Sequence, residues 1–563
     1  MTERLLKNEN TVRDMRGNTG IKLFNFRPAL FCAVFLCLGI LFGYARETIK
    51  LSYWWLCAIL PLGALLFFFS LSGRNWRKKI GAYVLLLSVF FTLGACFSSL
   101  QMQTFSALPT YEGEHAVLGL VVDKQGVEEN YSITISSINV DGIETDGSAR
   151  VYVSKAQYET VSLADEVLVC GEMRTYVDFH NDYGVRAQAI EERCAYYVTA
   201  TSTTVMQNRF SPFLFVRERL TKVLGAGMDE TPAAVMTAVL TGNTTGMDEG
   251  LLTNIRRGGI AHIFAVSGLH IGALYAFCLL LLDKTGLRKT KRFTRVVFTA
   301  SVLLLYGGIC GFSSSVIRAI VMCLSFYVAK LLGEKTDGLE TLGVAACIVL
   351  LLSPISLFSV GFQLSFAACL GIVIFSRSIT DSVKNGINKL RDKFGKKKEV
   401  VLSSYGKLSI KDTHPLTVGQ RLERAATSFL GVTLSAQLCT APIQLLAFGY
   451  LSGWGLLLNV LFVPLISAAF SFLLALALLA CVLPVAWSFV VLYVPNVIWS
   501  ALLLLFETFD FSTFVITLGL SATATSCYYS TILLCSEKCN LHRKEKWWIF
   551  GVGMAVFVVC LCV

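Results

Sequence analysis

The sequence predicts an α-helical polytopic membrane protein with broken helices, plus a small all-β (OB-like) extracytoplasmic domain. Three observations predict it. Of the 563 residues, 54% are hydrophobic and 15% charged, against about 25% charged in a soluble domain. Apolar segments near the length of a membrane span recur along the chain. A polar stretch, 105–206, interrupts them.

The apolar segments lie near 28–45, 52–71, 80–98, 261–283, 293–311, 315–333, 339–352, 357–376, 425–450, 454–482, 484–505, 511–535 and 547–563. Several are too short or too interrupted for a straight span of about 20 residues. Gly307, Gly308, Pro442, Asn459 and Pro464 fall inside them. Broken helices at membrane depth are tolerated only when buried in protein or lining a wet cavity.

Charge fixes the expected orientation. The net charge is +11. Residues 284–295 hold six basic residues and no acid, and 377–424 hold twelve basic and five acidic. Residues 105–206 hold six basic and sixteen acidic. Placing the basic N-terminus (Arg4, Lys7, Arg13, Arg16, Lys22) in the cytoplasm brings every strongly basic loop to that side, as the positive-inside rule requires. The polar stretch and the C-terminus then lie outside. Because topology explains the charge, net charge is no argument for a nucleic-acid partner.

The outer stretch reads as β. VLGLVVDKQ, YSITISSINV, ARVYVSK and DEVLVCGEM are short runs rich in Val, Ile and Tyr, punctuated by Asp141-Gly142 and Asp146-Gly147. Four or five strands in about 100 residues fit a small barrel of the OB type, and a sandwich would give similar strings. Of 18 cysteines, Cys170 and Cys194 alone lie in this stretch. Lone pairs outside the cytoplasm often bridge; the other reading is two unrelated buried thiols. Residues 207–226, with Arg217, Arg219 and Lys222, read as an amphipathic helix at the outer interface, or as a plain connecting helix on the protein surface.

The most distinctive stretch is 256–276, which sets His262, Ser267 and His270 in an apolar helix beside Gly258, Gly259 and Gly268. Polar groups in the membrane usually face a bundle interior or cavity. Three readings stay open: hydrogen bonding between packed helices, the lining of a polar pathway, and a Ser/His hydrolytic centre. No Gly-x-Ser-x-Gly elbow or acidic orienter supports the last. Arg318 stands near a segment end, where it would snorkel. Gln363, Gln437, Gln444 and Asn459 are further intramembrane polar residues, with Gln437 and Gln444 seven apart and on one helical face unless Pro442 breaks it.

The six histidines form no metal-ligand cluster, and there is no C-x-x-C pair or Walker A loop. No cofactor, metal site or ATP motor is expected.

The motifs resemble the ComEC competence family. GGIAHIFAVSGLHIGAL (258–274) carries the resemblance, with LTGNTTGMDEGLLTNIRRGG (240–259) before it. GFSSSVIRAIVM (311–322), SPISLFSVGFQLSFAACLGI (353–372) and AQLCTAPIQLLAFGYLSGWGLLLNVLFVPL (436–465) follow in order. The resemblance implies a channel passing single-stranded DNA across the membrane in natural transformation. His262, Ser267, His270, Arg318, Gln363, Gln437, Gln444 and Asn459 are then candidates for lining the pathway or for packing the broken helices.

The resemblance also implies an uptake DNA receptor and a cytoplasmic translocation ATPase as partners beside DNA and membrane lipid. Many relatives continue into a metallo-β-lactamase-like domain. The expectation here is a chain without it, not an enzyme, with any nuclease separately encoded. Relatives often carry Asn-Pro-Gly and an aromatic near the end of the β domain; here 178–184 reads Asp-Phe-His-Asn-Asp-Tyr-Gly. The expected organisation is three spans over 1–104, the β domain over 105–206, an interfacial helix over 207–230 and the channel domain over 231–563. The alternatives are a small-solute secondary transporter, which should carry midplane carboxylates, and an intramembrane Ser/His hydrolase.

Overall fold

The computed structural model describes residues 27–49, 75–127, 130–175, 194–208, 211–284 (save 245 and 265), 292–331, 337–394, 418–508, 515–517, 522–535, 548 and 552. The expected segment at 52–71, nearly all of 547–563, the N-terminal basic residues, residues 285–291 and 395–417 of the two basic loops and the 178–184 loop lie outside the described residues. Seven described helices are long and apolar enough to cross a membrane. With the barrel below, this makes the chain a multi-pass membrane protein carrying a β domain.

The chain forms two compact units, one of residues 28–366 with 451–516, the other of 1–27, 367–450 and 517–563. The larger unit opens with α1 (Pro28–Ile49) and α2 (Asn75–Ser106), which run parallel. A Cβ at Gly39 would run into Phe91 O, and one at Gly43 would fall 2.6 Å from Ala95 O. Small residues give apolar helices this approach where lipid offers no hydrophobic drive.

Next come β1 (Glu112–Val127), β2 (Asn130–Val140), β3 (Ile143–Val153), α3 (Lys155–Thr160), β4 (Asp165–Thr175) and β5 (Cys194–Asn208). They close a barrel in the order β1-β2-β3-β5-β4, with β1 against β4 and only β3–β5 parallel. This is OB-like connectivity, and closure removes the exposed edges. Alternation along the strands fills the interior with Val117, Val121, Ile133, Ile135, Val151, Val167, Val169, Met173 and Val198.

The register keeps the two barrel cysteines apart. Cys170 faces Ser202 on β5, and Cys194 lies eight residues earlier on that strand. That separation is about 26 Å along the strand, whereas a bridge needs Cα atoms within about 7 Å. The expected Cys170–Cys194 disulfide is therefore not formed.

The expected Asp141-Gly142 turn joins β2 to β3 with Val140 paired to Ile143. Its φ values of 51° and 91° suit the two-residue turn whose twist matches the strands. Asp141 also ties the turn to β1: His115 Nδ1 lies 2.6 Å from Oδ2, and Ala116 N–H donates to Oδ1 at 3.0 Å. The His115 hydrogen bond, then the Ala116 N–H, hold the Asp141 carboxyl below the usual carboxylate range. A depressed folded-state pKa stabilises above the unfolded value, about 3.9, and the gain is lost as pH falls through the lower one. Amide exchange at 141–143 is expected to accelerate below about pH 4. In Asp141→Asn it should be fast at every pH; equal protection in the variant at pH 6 would refute the tie.

Beyond the barrel come α4 (Pro212–Gly227), α5 (Glu230–Thr241), α6 (Glu249–Arg257), α7 (Ala261–Phe264), α8 (Gly268–Lys284), α9 (Arg292–Ile309), α10 (Ser314–Leu331) and α11 (Gly338–Leu352). A 3₁₀ turn, Pro354–Phe358, leads to α12 (Val360–Phe394). Then follow α13 (Val418–Phe448), α14 (Gly455–Val482), α15 (Ser488–Glu507) and α16 (Ala522–Cys535). Glu340, in the first turn of α11, accepts the Ala29 and Leu30 N–H groups at 2.9 and 3.5 Å. A carboxylate there satisfies orphan donors and complements the dipole of α1.

Pro442, Pro464 and Pro495 sit inside continuous helices. The breaks fall instead at 258–267 and 353–359, where Gly259 and Pro354 stand. In the smaller unit α12 and α13 run antiparallel, with Gly371 on Ser435 O and Cys439, and Gly431 on Thr380. Pro442 has no N–H, so Leu438 O lacks its helical partner. Tyr528 OH donates to Leu438 O at 2.9 Å and Tyr529 OH to Cys439 O at 2.5 Å. At Leu438 O a neighbouring helix thus re-satisfies backbone that a proline exposed in the membrane. Tyr528→Phe is expected to destabilise by about 1 kcal/mol in detergent unfolding, with the Tyr529→Phe loss adding to it. An unchanged midpoint in the double variant would show the carbonyls are served otherwise.

Candidate functional site

Helix α4 marks one end of the larger unit. Phe213 packs over Gly308 at the C-terminus of α9. Arg219 donates to Cys481 O and Leu483 O at 3.3 and 3.1 Å, capping α14. Gly227 rests on Ser488 and Leu492 at the start of α15. The expected interfacial helix is therefore laid over three helix ends, with Arg217, Leu220, Val223 and Leu224 buried. Asp123 of β1 lies 3.9 Å from Arg217, so the barrel is at this end too.

The 240–270 segment enters from this end and returns toward it. Leu240 O accepts the Tyr306 hydroxyl at 2.8 Å, near the α4 end of α9. Gly259 then meets Ser452 and Gly455, at the opposite end of α14. Val266 comes back beside Gly242, and the His270 ring lies 4.6 Å from Phe470. Gly455 and Phe470 are fifteen residues apart on α14, about 22 Å along the helix. The segment is a re-entrant hairpin, a form that membranes accept only inside protein or beside water.

Its turn is built by local rules. Asp248 caps α6 by accepting Leu251 N–H at 3.1 Å. Glu249 in the first turn and Arg256 and Arg257 in the last complement the dipole. Gly259, at φ +71°, ends α6, and Ile260 N–H closes back on Ile255 O at 3.2 Å. Leu251 and Ile255 look into an apolar recess with Phe264, Phe462, Trp499 and Phe506. Asn254, Arg256 and Arg257 are exposed on the other face.

The sequence set His262, Ser267 and His270 on one helix; the structure breaks that helix between α7 and α8. His262 is solvent-exposed. Ser267 and His270 are brought together at the break. Ser267 N–H donates to His270 Nδ1 at 3.2 Å, and Ser267 Oγ lies 3.5 Å from the same nitrogen. Nε2 is buried with no hydrogen-bond partner. A catalytic base instead faces its nucleophile and is oriented through its second nitrogen. The pair has the geometry of a cap that starts α8. Among the described residues no group of three or more His, Cys, Asp or Glu could hold a metal.

The other candidates scatter. Arg318 does not snorkel: it is 4% exposed, bonded to Ser314, with its guanidinium against Gly361. Gln363 Nε2 donates to Leu357 O at 3.2 Å and steadies the 3₁₀ turn. Asn459 keeps a buried Oδ1 without a hydrogen-bond partner on α14. Gln437 and Gln444 lie in the smaller unit on an unbroken α13, opposite the Gly431–Ser435 stripe that packs on α12. Sequence reasoning gave Arg217 and Arg219 to a helix face at the interface. Nothing local showed that both would be drawn onto protein.

Comparison with known proteins agrees with this architecture. The family described as Competence protein matches residues 239–538, more than half of the chain. Over 200 residues the chain is 27% identical to ComE operon protein 3 of Bacillus subtilis. That stretch is 34% of this chain and 25% of that protein, so the match spans about a quarter of the relative's length. No solved structure matches. The hairpin, the 311–322 turn and the Pro442 helix all lie within the matched range, and the chain belongs to the ComEC family of competence proteins.

Proposed function

We propose that this chain is a channel subunit that imports single-stranded DNA across the bacterial cytoplasmic membrane. Family membership supports a role in DNA uptake in competence. The observation that carries the channel reading is the re-entrant hairpin, which enters the apolar bundle and exposes the polar residues Asn254, Arg256, Arg257 and His262 at and beside its tip. Single strands need a wet, positive path with stacking surfaces, and the hairpin tip supplies positive charge at one end of such a path.

The pathway candidates are then His262, Ser267, His270, Arg318 and Asn459, with Gln363, Gln437 and Gln444 as packing residues of the helices. The barrel, α4 and the C-terminus belong outside, and Arg256 and Arg257 toward the cytoplasm, by the charge rule. An uptake receptor and a translocation ATPase complete the pathway. The barrel stretch carries ten more acidic than basic residues, so its OB-like shape is no reason to make it the strand-binding domain.

The test is entry of labelled DNA in source cells with this gene deleted, then restored. Binding without entry in the deletion strain, and entry on restoration, is the expected result. Unchanged entry in demonstrably competent cells would favour a small-solute carrier.

A further inference from the structure

The turn between α9 and α10 sits at the barrel end, with Gly311, Phe312 and Ser313 exposed. It opens α10, whose first hydrogen bond back to the turn is Ile317 N–H to Ser313 O at 3.0 Å. Helix starts present N–H groups and a positive dipole end to anions. Two arginines flank this one. Arg318 reaches back to Ser314. Arg217 is 7% exposed, with Nη1 3.7 Å from the position of a Gly311 Cβ.

Arg217 is the telling residue. Its Nε is buried with no hydrogen-bond partner. Its ionic neighbour, Asp123 Oδ1, stands 3.9 Å away, beyond hydrogen-bond range. A buried guanidinium nitrogen without a hydrogen bond is costly, and the guanidinium fork matches phosphate oxygens. Phe312, 42% exposed and held at φ +48°, offers a ring beside the same turn. A stacking surface next to a phosphate seat suits a nucleotide strand better than a lipid headgroup.

We propose that Arg217, Arg318 and the 311–315 turn seat one backbone phosphate of an incoming DNA strand at the barrel end, where Asp123 stands until the phosphate displaces it. This rests on the DNA-import reading.

The test measures binding of a fluorescent oligothymidylate to the full chain in nanodiscs of neutral lipid, across a salt series. Arg217→Gln is expected to weaken binding roughly tenfold at low salt and to lower the salt slope by about one. Arg217→Lys should keep part of the affinity. Asp123→Asn should tighten binding, a gain that a misfolded chain cannot give. An oligomer with an uncharged methylphosphonate backbone should bind wild type and Arg217→Gln alike.

Equal affinity and slope for wild type and Arg217→Gln would overturn the seat while leaving DNA import standing. An Arg217 effect that appears only with anionic lipid would overturn it in favour of a headgroup site. No binding by any form would take the import reading down as well.

Discussion

Gly259→Ala is expected to be among the most damaging single-methyl changes in the larger unit. The backbone there is left-handed, at φ +71°, which costs a side-chain-bearing residue about 1–2 kcal/mol. The new methyl would also fall 2.9 Å from Ser452 Cβ and 3.0 Å from Gly455 Cα. Backbone cannot swing aside as a flexible side chain does, so overpacking adds about 1–3 kcal/mol. The turn of the hairpin would lift off the start of α14 and carry Arg256 and Arg257 with it. The expected readout is a lower unfolding midpoint in detergent and loss of DNA entry in cells. Gly272→Ala is the matched control, because a Cβ there meets nothing within 4 Å and helix propensity favours alanine by up to about 1 kcal/mol. If the two variants unfold together, the hairpin turn is not wedged as described.

The second large effect separates the channel from the hydrolase. His270 is fully buried, its ring tilted against Phe470 and bonded to the Ser267 N–H. His270→Ala opens a cavity and orphans a buried donor, together about 3 kcal/mol or more. Ser267→Ala removes only a hydroxyl 3.5 Å from Nδ1, a distance at which it contributes well under about 1 kcal/mol. DNA entry should therefore fall sharply in His270→Ala and survive in Ser267→Ala. A nucleophile would reverse the order of severity: Ser267→Ala would be as inactive as His270→Ala while unfolding like wild type.

Neither effect was visible as an energy in the sequence, though the residues were. His262, Ser267 and His270 stand out because Ser and His are conspicuous in an apolar run. Their geometry did not follow, because a helical wheel assumes a continuous helix. One left-handed glycine and one reversal of direction removed that assumption. The same gap explains Arg318, which local context placed at a segment end and the fold buried against Gly361. It explains Cys170 and Cys194 too: composition can pair two cysteines, but strand register separates them.

The sequence by itself determined the class. Hydropathy marked the spans, because lipid admits few charges. Alternation and the Asp141-Gly142 turn marked the β domain, because strand and turn chemistry are local. Ordered motifs pointed to the competence family. Only the tertiary structure decided that 240–270 dips in and returns, that Arg217 and Arg219 meet protein, and that two tyrosines serve the Pro442 carbonyls. Those outcomes depend on which distant backbone a side chain meets. Such contacts, from Gly259 to Gly455 or from Tyr528 to Leu438, join residues far apart in the chain, where no local periodicity can record them.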